Sequence, residues 1–100
     1  MPSGWVRKMF EARFGTKAPL ALTETVAFHL GADYGQMFSQ ARGSLLFAQT
    51  VARAEKFGGM PFKSLAKYFG VSPTAMAIRL EELGLVAAYL PMRERAWVDA

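Results

Sequence analysis

The chain has 100 residues, the length of one domain, and carries a net charge of +4 with 52% hydrophobic and 20% charged residues. This composition excludes a disordered chain, and the absence of cysteine excludes disulfide-stapled scaffolds and thiolate metal sites. No run approaches the ~18 apolar residues of a membrane span, and the first residues lack a signal-peptide core, so a cytoplasmic protein without a membrane partner is expected. The positive charge favours nucleic acid or an acidic protein as partner.

Apolar residues spaced three to four apart predict two helices in the first third of the chain. The first is expected over residues 3–14, with Ser3 as its N-cap. The second is expected to begin at Leu20 or Thr23 and to end at Leu30, because a glycine follows it. Both would contribute one apolar face to the core of a mainly α protein.

A third, longer helix is expected to be capped by Asp33 and to end at Gly58-Gly59. Gly43 inside it would mark a kink or a close helix crossing. Its apolar stripe is Met37, Ala41, Leu45, Ala48 and Ala52. Leu46 and Phe47 directly follow Leu45, a residue of this stripe, and three consecutive residues cannot all lie on one helix face. One of them is therefore expected at a dimer or partner interface.

Residues 62–83 predict a helix-turn-helix. The residues expected to face inward are Leu65, Ala66, Phe69, Met76, Leu80 and Leu83. Gly70 supplies the left-handed conformation of the turn, and Val71 fills the corner. Ser72 caps the second helix, and Pro73 occupies its first position, where a missing N–H is harmless. The chain is thus expected to be one domain over residues 1–100, with a helical part over 1–58 and this unit over 62–98.

Residues 85–98 are compatible with two structures. A strand over 85–90 and a second strand over 95–98 would form a short β-hairpin wing. Alternatively the segment is a short terminal helix, because Ala and Leu dominate its first half. The sequence leaves both open.

The run from Phe62 to Val86 resembles the helix-turn-helix units of bacterial transcription regulators, and with a wing it would resemble winged-helix proteins. The resemblance implies a non-enzymatic protein that binds double-stranded DNA in gene regulation, as a dimer. It also implies that the second helix of the unit enters the major groove, while the first crosses the phosphate backbone.

The same run is similar to the C-terminal segment of the ImmA/IrrE family of zinc metallopeptidases, over residues 65–72, 75–80 and 83–85. The zinc site of that family needs two histidines one helical turn apart, with a glutamate beside the first. His29 is the single histidine of this chain, and it is expected to be a packed or surface residue. The resemblance therefore implies the non-catalytic part alone, and neither a metal nor another cofactor is expected.

The candidate DNA contacts fall into two groups. Those expected to reach phosphates are Lys63, Lys67 and Arg79, with Arg93 and Arg95 on a wing, and Ser64 at the start of the first helix. Lys63 and Lys67 would lie one turn apart on that helix. The hydroxyls expected in the groove are those of Ser72 and Thr74 on the second helix.

The outer face of the second helix also supports a different function. A sequence-specific reader usually carries Arg, Gln or Asn there, whereas this face offers the apolar residues Pro73, Ala77 and Ile78. Glu81 and Glu82 would bring negative charge toward phosphates. The alternative is therefore a protein-interaction module, such as a phage- or plasmid-borne inhibitor, that docks through this face.

Overall fold

A computed structural model describes residues 2–16, 19–41 and 45–87. Within these ranges the protein is mainly helical with two small two-stranded sheets, which confirms the predicted fold class. The elements in chain order are α1 (Ser3–Phe14), β1 (Leu20–Ala21), α2 (Glu24–Leu30), α3 (Tyr34–Ala41), α4 (Leu46–Arg53), β2 (Lys56–Phe57), β3 (Met60–Pro61), α5 (Leu65–Phe69), α6 (Pro73–Glu82) and β4 (Val86–Ala87).

The first helix has the predicted length but a different cap. The N-cap is Pro2, and no side chain caps the helix. The carbonyl of Pro2 accepts hydrogen bonds from the backbone N–H groups of Trp5 and Val6, both at 3.1 Å, so Ser3 already lies in the first helical turn. The prediction that Ser3 caps this helix is therefore wrong. The helix ends, as predicted, at a left-handed Gly15.

The second helix begins at the later of its two predicted starts. The hydroxyl of Thr23 accepts a hydrogen bond from the backbone N–H of Val26 at 3.1 Å and so caps α2. Leu20 belongs instead to β1, which pairs in parallel with β4. Its N–H donates to the carbonyl of Leu85 at 2.8 Å. Because of this pairing the end of the helix-turn-helix unit lies beside the segment that precedes α2.

The prediction of one long helix from Asp33 to Gly58-Gly59 is wrong. Asp33 does cap α3, because its carboxylate accepts a hydrogen bond from the backbone N–H of Gln36 at 3.0 Å. A separate helix, α4, follows α3 and ends at Arg53. Gly58 and Gly59 have φ angles of 59° and 85° and form the turn of the antiparallel β2–β3 hairpin. Two successive positive φ angles match the right-handed twist of a two-residue hairpin, and glycine adopts them without strain. Gly43 lies outside the described residues.

The predicted helix-turn-helix is present as α5 and α6, joined by a tight turn at Gly70, Val71 and Ser72. Gly70 has a φ of 68°, and the Ser72 hydroxyl accepts the backbone N–H of Ala75 at 3.1 Å. The choice between a wing and a terminal helix falls mostly on residues 88–98, which lie outside the described residues. Residues 86–87 do form a strand, and its described partner is β1.

The core is built around α4, which packs against α3, α5, α6 and β4. The largest fully buried side chains are Phe10, Phe47, Leu65, Met76, Leu80, Val6 and Val51. Phe47 is fully buried and Leu46 is half-buried, so the expected exposed residue beside the α4 stripe is not found. Helix α4 begins at Leu46, so Leu45 is its N-cap residue, and Leu45 too is half-buried.

Helix α1 docks on α5 through aromatic packing. The Trp5 ring packs edge-on against Tyr68 and Phe69, with centroids 6.0 Å and 5.6 Å apart. The helix therefore supports the helix-turn-helix unit from one side. No helix in the described part of the chain is both long enough and apolar enough to cross a bilayer.

Candidate nucleic-acid interface

The outward face of α6 is short and mixed in character. Its exposed residues, with the N-cap, are Ser72, Thr74, Ala75, Ile78, Glu81 and Glu82. Pro73 is half-buried. Ala77 was predicted to share this face, but it is fully buried with Met76 on the side of α6 that joins the core. That prediction is wrong, and the apolar component of the face is reduced to Pro73, Ala75 and Ile78.

The two predicted serines both act as helix caps. The Ser64 hydroxyl accepts the backbone N–H of Lys67 at 3.2 Å, and that of Ser72 accepts the N–H of Ala75. Ser64 is only 2% exposed, so a phosphate could reach its hydroxyl only after the start of α5 opened. Ser72 is exposed. While its hydroxyl oxygen caps α6, its hydroxyl proton can still donate a hydrogen bond to an oxygen atom of a ligand.

The two predicted lysines are both exposed, but they do not lie on one helix. Helix α5 begins after its cap Ser64, so Lys63 precedes the helix. The prediction that Lys63 and Lys67 lie one turn apart on a helix is therefore wrong. The Lys67 ammonium forms an ion pair with Glu55 at 2.7 Å, with the two side chains 67% and 57% exposed. An ion pair this exposed contributes little stability, so Lys67 can exchange Glu55 for a phosphate.

Arg79 lies on α6 and also faces a carboxylate. Its guanidinium is 3.4 Å from Glu82, one turn further along the helix. A phosphate would therefore compete with Glu82 for this side chain. Arg93 and Arg95, the remaining predicted phosphate contacts, lie outside the described residues.

Thr74 has a hydrogen-bond partner that the sequence analysis missed. The Gln49 side-chain N–H donates to the Thr74 hydroxyl oxygen at 3.0 Å, which links α4 to the second residue of α6. The two residues are 25 positions apart, and nothing local in the sequence connects them. Gln49 thereby places a carboxamide beside the start of α6, on a face where the sequence offered only hydroxyls.

Two arginines of α1, also missed, hold the α5–α6 unit at both of its ends. Arg7 donates to the carbonyl of Leu83 at 3.1 Å, and Arg13 donates to the carbonyl of Lys63 at 2.8 Å. The Arg13 guanidinium lies 5.1 Å from the ring centroid of Tyr68. Burial lowers the pKa of Arg13, an effect that the interaction with Tyr68 opposes. The hydrogen bond from Arg13 fixes the backbone carbonyl of Lys63 and so positions this residue.

His29 packs at the end of α2 against the hairpin. Its ring lies edge-on to Phe57 with centroids 5.2 Å apart, and its carbonyl accepts the N–H of Gly58 at 3.1 Å. Across residues 2–16, 19–41 and 45–87, no group of three or more His, Asp or Glu side chains is placed to hold a metal ion. The contacts of His29 are those of a packing residue that joins two elements.

Comparisons of the chain with protein-family models, with curated proteins and with solved structures gave no match.

Proposed function

We propose that this protein binds double-stranded DNA through α5 and α6, as a small non-enzymatic transcription regulator. The observation that carries the proposal is the arrangement of these helices. Helix α6 presents a capped and exposed N-terminal turn. Of the two exposed lysines, Lys63 lies just before the shorter helix α5 and Lys67 lies on it. This is the order of parts in which one helix enters the major groove and the other crosses the backbone.

The charges and the polar groups divide between two tasks. Lys63 and Lys67 contact phosphates and set affinity without regard to sequence. Thr74, at the second position of α6, reaches base edges and sets sequence preference. A dimer would place two copies of α6 about one turn of DNA apart, which is the usual way such a short reading face gains specificity.

A titration of the protein against random duplex DNA at two salt concentrations tests this proposal. Each phosphate contact releases condensed counterions, so log K should fall with log salt at a slope of about −0.9 per contact. We expect a steep fall. Binding that does not change with salt, or no binding at low salt, would reject DNA as the partner.

A Glu55→Gln variant should bind duplex DNA more tightly, by about two- to fivefold, whatever the sequence. The substitution frees Lys67 from its 2.7 Å ion pair and removes a negative charge from the approach of the phosphates. Fluorescence anisotropy at low salt measures the effect. Glu24→Gln is the matched control, since it makes the same charge change at the start of α2. Equal gains in the two variants would show that only net charge matters.

A second candidate function is protein docking through α6, and Ile78 is the observation that favours it. Ile78 is 43% exposed on the outward face of the helix, and Glu81 and Glu82 are exposed beyond it. Carboxylates there repel phosphates, and an exposed isoleucine suits an apolar partner surface. The simplest such partner is a second copy of this chain.

Ile78→Ser separates the two candidates. If α6 is a protein-docking face with Ile78 as its anchor, the variant should weaken self-association by about fivefold or more, because truncating an anchor costs more than about 1 kcal/mol. Sedimentation equilibrium measures the self-association, and circular dichroism verifies that the Ile78→Ser variant is still folded. Loss of self-association in Ile78→Ser, with no effect of charge reversal at Lys63 and Lys67 on any binding, would favour the docking function over DNA.

A further inference from the structure

The contact between Gln49 and Thr74 joins two helices at the point where α6 begins. The Gln49 side-chain nitrogen lies 3.0 Å from the Thr74 hydroxyl oxygen. Thr74 is exposed and Gln49 is half-buried, so the pair lies at the protein surface. Thr74 follows Pro73, the first residue of α6, and the first turn of a reading helix is the part that approaches the bases most closely.

The chemistry of the pair is what a base edge requires. A carboxamide has two N–H donors and a carbonyl acceptor, and the bond to Thr74 uses one of the donors. For base reading, Thr74 must accept the N–H that points away from the Gln49 carbonyl, because this leaves the other N–H and the carbonyl oxygen side by side. In the major groove adenine presents an acceptor at N7 next to a donor at N6, which is the complement of that arrangement. The Thr74 methyl group can contact the thymine methyl in the same base pair.

The packing of α4 on α6 fixes the positions of Gln49 and Thr74 relative to each other. Gln49 follows Ala48, which is 1% exposed, and α6 packs against α4 with Met76 and Ala77 fully buried. The backbones that carry Gln49 and Thr74 are therefore fixed by the core. The hydrogen bond then orients the carboxamide before any ligand arrives, and such preorganisation reduces the entropy lost on binding.

We propose that Gln49 and Thr74 together form a base-reading pair that prefers an A·T base pair, with Gln49 as the main specificity-determining residue. This inference rests on the proposed function, because it assigns a base preference to the same α5–α6 surface. It adds a residue from α4 to a reading face that the sequence placed wholly on α6.

The experiment is selection from a random duplex library, followed by sequencing, with the full chain. Wild type is compared with Gln49→Ala, Gln49→Glu and Thr74→Ala, and Gln36→Ala on α3 is the matched control. In the wild type we expect an A·T preference of about five- to hundredfold at one position of each half-site. Gln49→Ala should abolish it, Thr74→Ala should weaken it at that same position, and the control should keep it. Gln49→Glu should shift the preference toward cytosine, whose N4 amino group donates to a carboxylate.

Affinity for random duplex, measured in parallel by anisotropy, separates this inference from the proposed function. If the wild type binds no duplex, both fall. If it binds in a salt-dependent manner but Gln49→Ala leaves the base preference unchanged, only the reading pair is overturned. The same holds if Gln49→Ala and Thr74→Ala alter different positions. Gln49→Glu is nearly isosteric, and thermal unfolding of each variant verifies that the fold is retained.

Discussion

Replacing Phe47 with alanine is expected to lower the free energy of unfolding by about 3–5 kcal/mol. Phe47 is fully buried on α4, the helix that packs against α3, α5, α6 and β4. The loss combines the transfer free energy of the ring with the cavity that it leaves behind. Domains of this size have a total stability of about 5–15 kcal/mol, so the variant should lose a large part of its stability.

Chemical denaturation followed by circular dichroism measures this effect. Phe28→Ala is the matched control, because the same ring is removed from a side chain that is 79% exposed. The control should change stability by no more than about 0.5 kcal/mol. Similar losses in the two variants would show that Phe47 is not at the centre of the core.

Reversing both charges in a Lys63→Glu/Lys67→Glu variant is expected to weaken duplex binding at least about tenfold at low salt, across all sequences. Lys63 is exposed just before α5 and Lys67 is exposed on it, where the proposed DNA backbone passes. The loss of two phosphate contacts should also make the slope of log K against log salt shallower by about 2. Base preference should not change, because phosphate contacts carry no sequence information directly.

A Lys8→Glu/Lys56→Glu variant provides the control for the lysine prediction. It makes the same change in net charge at exposed lysines on α1 and β2. If the interface is local to α5 and α6, the control should lose less affinity and keep its salt slope. Equal losses would indicate that the protein attracts DNA only through its overall charge, and no loss in either variant would reject the DNA interface.

Local signals in the sequence determined most of the helix ends and the turn of the helix-turn-helix. Gly15 ends α1, and Gly70 followed by Ser72 and Pro73 separates α5 from α6, as predicted. Helix α2 begins at Thr23, the later of its two predicted starts. Caps and left-handed helix ends depend on dihedral angles and hydrogen bonds within about four residues. Caps and helix ends can therefore be predicted from the sequence without knowledge of the fold.

The predictions that failed concern segments whose local pattern suits two structures. Gly58-Gly59 can end a helix or form a hairpin turn. The hairpin forms here with support from residues distant in the chain, since Gly58 donates to the carbonyl of His29. In the same way Leu20 suits a helix start, but its backbone is satisfied by Leu85 in a parallel pair. Contacts between such separated residues leave no periodic trace in the sequence.

The candidate interface shows the same division. The sequence by itself identified the helix that presents Thr74 and Ile78, because capping and apolar spacing define that helix locally. Only the tertiary structure decided which neighbours those residues meet. Packing of α4 on α6 buries Ala77 and brings Gln49 to Thr74, and the hairpin brings Glu55 to Lys67. The residues of α6 themselves determine that this helix forms. The packing of helices and strands against one another determines which other residues lie beside it at the interface.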